Sequence, residues 1–175
     1  MSSAIETIKQ IEKTHEDDYN TLSDKAKKAL YRHCTLHEMK MIDYMSKIDS
    51  PIEQLLAVEL QLYQSLYSDW FKRYDEYANI DEIATQREVV VKDKHYRVDF
   101  MVRCYAKDKL HFFAIECDGH EFHEKTKEQV RKDKQRERAL LSKGIKVIRF
   151  SGSEIWNDAA GCAKEAYEIM EQVIF

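Results

Sequence analysis

The sequence predicts an α/β fold: a four-stranded mixed sheet flanked by helices, with a helical extension in front. Three observations predict it. Apolar residues recur at helical spacing through the first half, which has almost no turn residues. The period switches to two near residue 85. A highly charged helical segment then separates the last two strand-like runs, so the final strand re-enters the sheet by a crossover and lies parallel to its neighbour. At 175 residues the chain suffices for one domain with an extension, and with one proline and four glycines it is too poor in turn formers for a β-sandwich. A hydrophobic share of 43% excludes the disordered class.

Each element has its own signal. Ile5, Ile8 and Ile11 recur at helical spacing, and Leu30, Cys34, Leu36, Met39, Ile42 and Met45 do so more loosely. Ser50 suits an N-cap, and Pro51 the first helical position, where its missing N–H costs nothing. The helix that follows carries Leu55, Leu56, Leu60, Tyr63, Leu66 and Tyr67 on a broad apolar face. The nearby aromatics Trp70, Phe71, Tyr74 and Tyr77 are expected mainly in the core.

TQREVVVK reads as a strand and Lys92-Asp93-Lys94 as a turn. HYRVDFMVRCY alternates Tyr96, Val98, Phe100 and Val102 with Arg97, Asp99 and Arg103. After the turn AKDK, LHFFAIECDG is apolar enough for a central strand. Residues 124–143 form the charged helix, closed by Gly144; IKVIRF is the fourth strand. One or two closing helices follow, with Ser153 or Asn157 as caps. The expected division is 1–49 as helical extension and 50–175 as the main domain, packed as one body because no Ser/Gly-rich linker intervenes.

The net charge of −4 excludes a generally basic, histone-like coat, so any phosphate-binding surface must be local. The charged helix supplies one candidate, with Lys125, Lys127, Arg131, Lys132, Lys134, Arg136 and Arg138. Its alternative is a solvated face of i,i+3 and i,i+4 pairs, Asp133 with Arg136 among them. Cys34, Cys104, Cys117 and Cys162 form no CxxC pair and read as reduced thiols of a cytoplasmic protein. The polar N-terminus is no signal peptide, and no run of about 18 apolar residues could span a membrane.

The chemistry concentrates in three acids. Asp99 lies mid-strand; Glu116 and Asp118, two apart, share a side at the end of the third strand. Glu116 follows the apolar run Phe112-Phe113-Ala114-Ile115, where a carboxylate is costly to bury uncompensated. If strands two and three are antiparallel neighbours, the three meet at one edge as hard oxygen ligands suited to Mg²⁺, Mn²⁺ or Ca²⁺. Solvated strand-end carboxylates, with Asp118-Gly119 as a mere turn, are the alternative. His120 and His123 are candidate acid/base groups; zinc with Cys117 lacks a fourth ligand.

The run Val98-Asp99-Phe100, then IECDGHEFH (115–123), then KDKQRERALLSKGIKVIRFSGSEIW (132–156) resembles the PD-(D/E)XK nuclease superfamily. It is most similar to the branch of the very-short-patch-repair endonucleases. The elements here are Asp99-Phe100; Glu116, Asp118, Gly119 and His123; and Asp133, Arg136, Leu140, Gly144, Val147, Arg149 and Phe150. The resemblance covers about residues 50–157.

It implies a restriction-endonuclease-like core and metal-dependent phosphodiester cleavage, with DNA the expected substrate. Asp99 and Glu116 would hold Mg²⁺ or Mn²⁺, with the main-chain carbonyl of Cys117 beside them. Glu53, or alternatively Glu59, would be the glutamate of the helix preceding the sheet. Asp118 would complete the site or orient water, with His123 also catalytic. Arg131, Lys134 and Arg149 would contact the nucleic acid. Asp118 stands where the wider superfamily has lysine, so a positive charge must come from a second metal or from His120, His123, Arg131 or Lys134. A symmetrical double-strand cut would require a homodimer. The rivals are a catalytically inactive nuclease-fold DNA-binding module, and a helical interaction protein with scattered acids.

Overall fold

The computed structural model describes residues 20–32, 44–72, 74, 75, 77–118 and 126–175, with the side chains of 30–32 and 65–70 outside that description. In chain order the elements are α1 (Asp24–Arg32), α2 (Pro51–Phe71), β1 (Asn79–Val91), β2 (Lys94–Ala106), β3 (Lys109–Asp118), α3 (Lys127–Ser142), β4 (Ile145–Ser151) and α4 (Gly152–Ile174). The sheet order is β1-β2-β3-β4. The first two pairings are antiparallel and β3–β4 is parallel, as the crossover through α3 requires. This is the expected four-stranded mixed sheet flanked by helices. No described helix is long and apolar enough to cross a membrane.

Both hairpins turn on two residues. Lys92 (φ 46°) and Asp93 (φ 63°) join β1 to β2; Lys107 (φ 51°) and Asp108 (φ 58°) join β2 to β3. Two consecutive left-handed residues match the twist of the flanking strands. The Lys107 N–H donates to the Asp75 carboxylate at 2.6 Å, which anchors the second turn to the end of α2. β1 begins at Asn79, earlier than the apolar run alone suggests. Arg103 on the neighbouring strand pairs there with Asp81 at 2.7 Å and with Glu82 at 3.5 Å on the exposed face, while Ile80 and Ile83 enter the main core.

The main core lies between the sheet and helices α1, α2 and α4. It contains Leu55, Leu56, Leu60, Phe71, Phe100, Val102, Phe113, Ile115, Ile155, Tyr167 and Met170. The Tyr167 hydroxyl donates to the Leu60 carbonyl at 2.9 Å, so the largest buried polar side chain of α4 is satisfied on α2. A smaller cluster on the opposite face joins Leu140 of α3 to Val98, Met101, Ala114 and Ile145. The described part of 1–49 enters the main core through Leu22, Ala26, Ala29, Met45 and Ile48. Gln54, buried at the head of α2, ties that segment down. Its Nε2 donates to the Ile48 carbonyl at 2.8 Å and its Oε1 accepts the Ser23 N–H at 2.9 Å.

Helix ends follow their caps. The Ser50 hydroxyl accepts the Glu53 N–H at 3.4 Å, consistent with Ser50 and Pro51 starting α2. Thr126 and Gln129 form a capping box at α3. Gly144, at φ 75°, closes α3 in the left-handed region. At α4 the cap is neither Ser153 nor Asn157 but Ser151, which forms a capping box with Glu154. The last residue of β4 is thus the first cap of α4, with no loop between. Asp158 breaks α4 internally (φ −150°), and its carboxylate accepts the Gly161 N–H at 2.9 Å, so the helix restarts after a kink.

Two stability measurements follow. A Cβ at Gly144 meets no atom within 4 Å, so Gly144→Ala isolates backbone strain; denaturant unfolding should show a loss of about 1–2 kcal/mol. Gln54→Ala strands the Ser23 N–H and the Ile48 carbonyl, and the same assay should show about 1–3 kcal/mol.

Candidate active site

The site begins where the sheet forks. The β2–β3 ladder ends at Phe100 opposite Ile115. The next residues along these strands are Asp99 and Glu116, while β3 continues beside β4 as far as Asp118 opposite Ser151. The Cys117 N–H, past the end of the β2 ladder, donates to Asp99 Oδ2 at 2.8 Å. A side chain thereby replaces a strand, and it fixes Asp99 against the Cys117 peptide.

The facing of β2 changes at this point. Phe100, Val102 and Cys104 enter the main core, whereas Tyr96 and Val98 pack with the smaller cluster. The change coincides with Gln86 of β1, which the register places across from Asp99, between the pairs Thr85–Phe100 and Arg87–Val98. Gln86 has φ 50°, a left-handed conformation unusual for a non-glycine residue within a strand. Tyr96 and Val98 therefore do not share the face of Phe100 and Val102, as simple alternation would have it.

Gln86 turns its amide toward α2. Its Nε2 donates to Glu53 Oε2, while its Oε1 is buried without a partner among the described residues. Glu53 stands in the first turn of α2, and the Asp99 charge acts on it. Burial, first, and Asp99, second, push the Glu53 carboxyl up to about 7. Glu59 faces elsewhere: it lines a separate cavity of about 400 Å³ with Lys25, Lys28, Trp156 and Asp158. Of the two candidate glutamates, Glu53 is the one beside Asp99.

Glu116 is 3% exposed. Burial raises its pKa, and the Arg136 guanidinium opposes that rise. Arg136, from α3, forks onto Glu116: Nη2 donates to Oε1 at 2.7 Å, Nη1 donates to Oε2, and Nη2 also reaches the Arg97 carbonyl. Helical spacing suggests a local partner for Arg136, Asp133; its guanidinium reaches between elements to Glu116 and the Arg97 carbonyl. Asp118 pairs with Arg149 at 3.5 Å, and Nη2 of that arginine is buried without a partner among the described residues. Burial raises Asp99 as well, opposed by the Cys117 N–H and by Arg136 and Arg97.

All four carboxylates meet electrostatically at Cys117. Burial pushes its thiol far above the usual range, and Asp99, Glu53, Glu116 and Asp118 each push further in the same direction. The donor chemistry is that of a hard divalent cation site: carboxylate oxygens from α2, β2 and β3, with the buried, unpartnered Oε1 of Gln86 beside Glu53. Among the described residues no three His, Cys, Asp or Glu side chains form a group able to hold a metal ion, and Glu116 gives both its oxygens to Arg136. The expectation of three acids gathered directly around one ion is not met by this arrangement.

The expected cationic residues divide. Arg131 is exposed and forks onto Glu128 at 2.7 and 2.9 Å, so it sits in a local helix pair. Lys134 is exposed. Arg149 is engaged by Asp118 rather than standing open. His120 and His123 lie outside the described residues. Sequence reasoning missed a polar cavity of about 470 Å³ lined by Lys47, Asp49, Ser50, Glu53, Gln86 and Arg97. Lys47 brings the segment before residue 50 to the edge of the site, where that segment was expected only to pack.

No curated protein and no solved structure matches the chain. The restriction-endonuclease-like family model REase_MTES_1575 matches residues 75–170, a span that carries Gln86, Asp99, Glu116, Asp118, Arg136 and Arg149. Glu53 and Lys47 precede it. Since that match covers more than half of the 175 residues and joins the sheet to both flanking helices of its C-terminal half, the chain belongs to this restriction-endonuclease-like family.

Proposed function

We propose that the protein is a nuclease that hydrolyses phosphodiester bonds of DNA with the help of a divalent cation, Mg²⁺ or Mn²⁺. The observation that carries this reading is the set of partly buried acids at the strand fork: Asp99 holds the Cys117 N–H, Glu116 adjoins it on β3, and Glu53 and Asp118 lie near enough for their charges to act on Cys117. Burying several acids at a strand fork is costly, and a fold that needs only stability has cheaper ways to end a ladder. The family match supports nuclease chemistry, and the E-x-D-G pattern supports a place near the very-short-patch-repair branch.

In this reading Asp99 and Glu116 are the cation ligands, with the Cys117 carbonyl beside them. The cation, when bound, polarises the phosphoryl group and acidifies water. The chain's own residues do the rest. The Cys117 N–H holds Asp99 Oδ2, leaving Oδ1 for the site. Gln86 holds Glu53 Oε2, so Glu53 Oε1 is the atom that takes a proton from water near neutrality. Asp118 orients the attacking water, with His123 as a second proton carrier. Lys47 and Arg97 at the cavity rim, with Lys134 and Arg131 on α3, receive the DNA backbone.

Nicking of supercoiled plasmid, with linear duplex and single strands alongside, tests this directly. Wild type should nick with Mn²⁺ or Mg²⁺ and stop in EDTA. Asp99→Ala and Glu116→Ala should each lose about 100-fold or more. Cleavage that persists in EDTA, or in Glu116→Ala, removes the site assignment. Metal-independent DNA binding without cleavage of any substrate would identify an inert binding module instead.

Glu53 also sets a pH dependence. Its folded pKa, about 7, lies above its ordinary 4.5, so the stability tied to its protonated form is present at low pH and lost as pH rises through about 7. Asp99 and Glu116 are shifted in the same direction. Without divalent cations, Tm should fall across that window, and Glu53→Gln should flatten the fall.

A further inference from the structure

We infer that Arg136 is an exchangeable counter-charge: it occupies Glu116 while the site holds no cation, and moves to the substrate phosphate when a cation takes its place. The inference rests on the proposed function, and it supplies the positive charge that the superfamily's lysine would bring.

The argument is one of shared atoms. Arg136 uses both oxygens of Glu116, and its Nη2 also reaches the Arg97 carbonyl, so three acceptors hold one guanidinium. Glu116 is nearly inaccessible to solvent, and no other cation touches it in a described ion pair. The fork takes one lone pair on each oxygen, so a divalent cation bound to Glu116 would sit close beside the guanidinium. Two cations cannot share those oxygens at contact distance in a poorly solvated site without strong mutual repulsion. Entry of one therefore drives out the other.

The displaced guanidinium remains tethered to α3, whose lower turn is fixed by Leu140 in the smaller cluster. Anchored on α3 next to the fork, it stays within side-chain reach of a phosphate brought to the carboxylates. Guanidinium suits that second partner as well as the first, because its planar fork matches carboxylate and phosphate alike. Arg149 is a poorer candidate for this role: it meets Asp118 at 3.5 Å with a single nitrogen, and its Nη2 is enclosed.

The test compares wild type, Arg136→Met and Arg136→Lys. Methionine keeps much of the aliphatic stem and removes the charge; lysine keeps the charge and removes the fork. Mn²⁺ affinity, read from the electron paramagnetic resonance of free Mn²⁺, is the primary measurement. Arg136→Met should bind Mn²⁺ at least tenfold more tightly than wild type. It should melt lower than wild type without Mn²⁺ and recover that loss with it. At saturating Mn²⁺ its nicking should fall about 100-fold.

Arg136→Lys should be intermediate in both affinity and cleavage, and it stands in if the methionine variant does not fold. Unchanged or weaker Mn²⁺ binding in both variants overturns the exchange, even where wild type shows metal-dependent nicking. Tighter binding with undiminished nicking overturns the transfer to phosphate. If neither wild type nor Arg136→Met binds Mn²⁺, the metal reading falls, and the exchange with it.

Discussion

A carboxylate at the end of an apolar strand must be answered by a cation, and here the answer is Arg136. Glu116 is carried into the interior by Phe113, Ala114 and Ile115, which anchor β3 on both faces of the sheet. Left unpaired, its charge would cost several kcal/mol. The guanidinium that satisfies it comes from α3, the crossover helix between β3 and β4, so the connection that makes β4 parallel also delivers the counter-charge. Asp99, Arg97 and Glu116 are held in one arrangement because that single side chain bonds or faces all three.

The remainder of the site is a consequence of the fork. Once β2 and β3 separate at Phe100 and Ile115, a backbone N–H at Cys117 needs a new acceptor, and Asp99 provides it. The left-handed Gln86 lies opposite the same point and reaches back to Glu53. A break in one ladder therefore links three strands and the head of α2. Strain and buried acids coincide there, while the hairpin ends of the same strands follow ordinary turn chemistry.

Much of the fold was legible because it rests on local periodicity. The strands, both two-residue turns, Gly144 and the Ser50–Pro51 start of α2 all have signals within a few residues. The antiparallel pairing of β2 with β3 put Asp99 beside the end of β3, as expected, but Glu116 and Asp118 turn to arginines rather than gathering with it around one point. What escaped notice was non-local or unmarked. Arg136 had an acid three residues away, and spacing could not show that Glu116, twenty residues away, would claim it. Nothing in TQREVVVK marks Gln86 as left-handed, since glutamine carries none of the bias of glycine or asparagine. The Ser151 cap was readable as S-x-x-E, but Gly152 made the helix look as though it began later. Lys47 and Arg97 line one cavity only because the segment before α2 folds against the sheet.

Asp118 and Glu116 are both acids in a partly buried site, and each is answered by an arginine. Asp118 brings its own cation, Arg149, from the paired strand β4, two residues before its own register partner Ser151 and directly across from Glu116. Glu116 brings Arg136 from α3. Two arginines on two elements thus answer two acids of one strand. The two are not equivalent: Arg149 is built into the sheet, whereas Arg136 projects from a helix whose outer face is solvent-exposed. They also differ in what holds them: Arg149 meets one carboxylate oxygen at 3.5 Å, whereas Arg136 is shared between both oxygens of Glu116 and the Arg97 carbonyl, so it ties α3 to two strands at once.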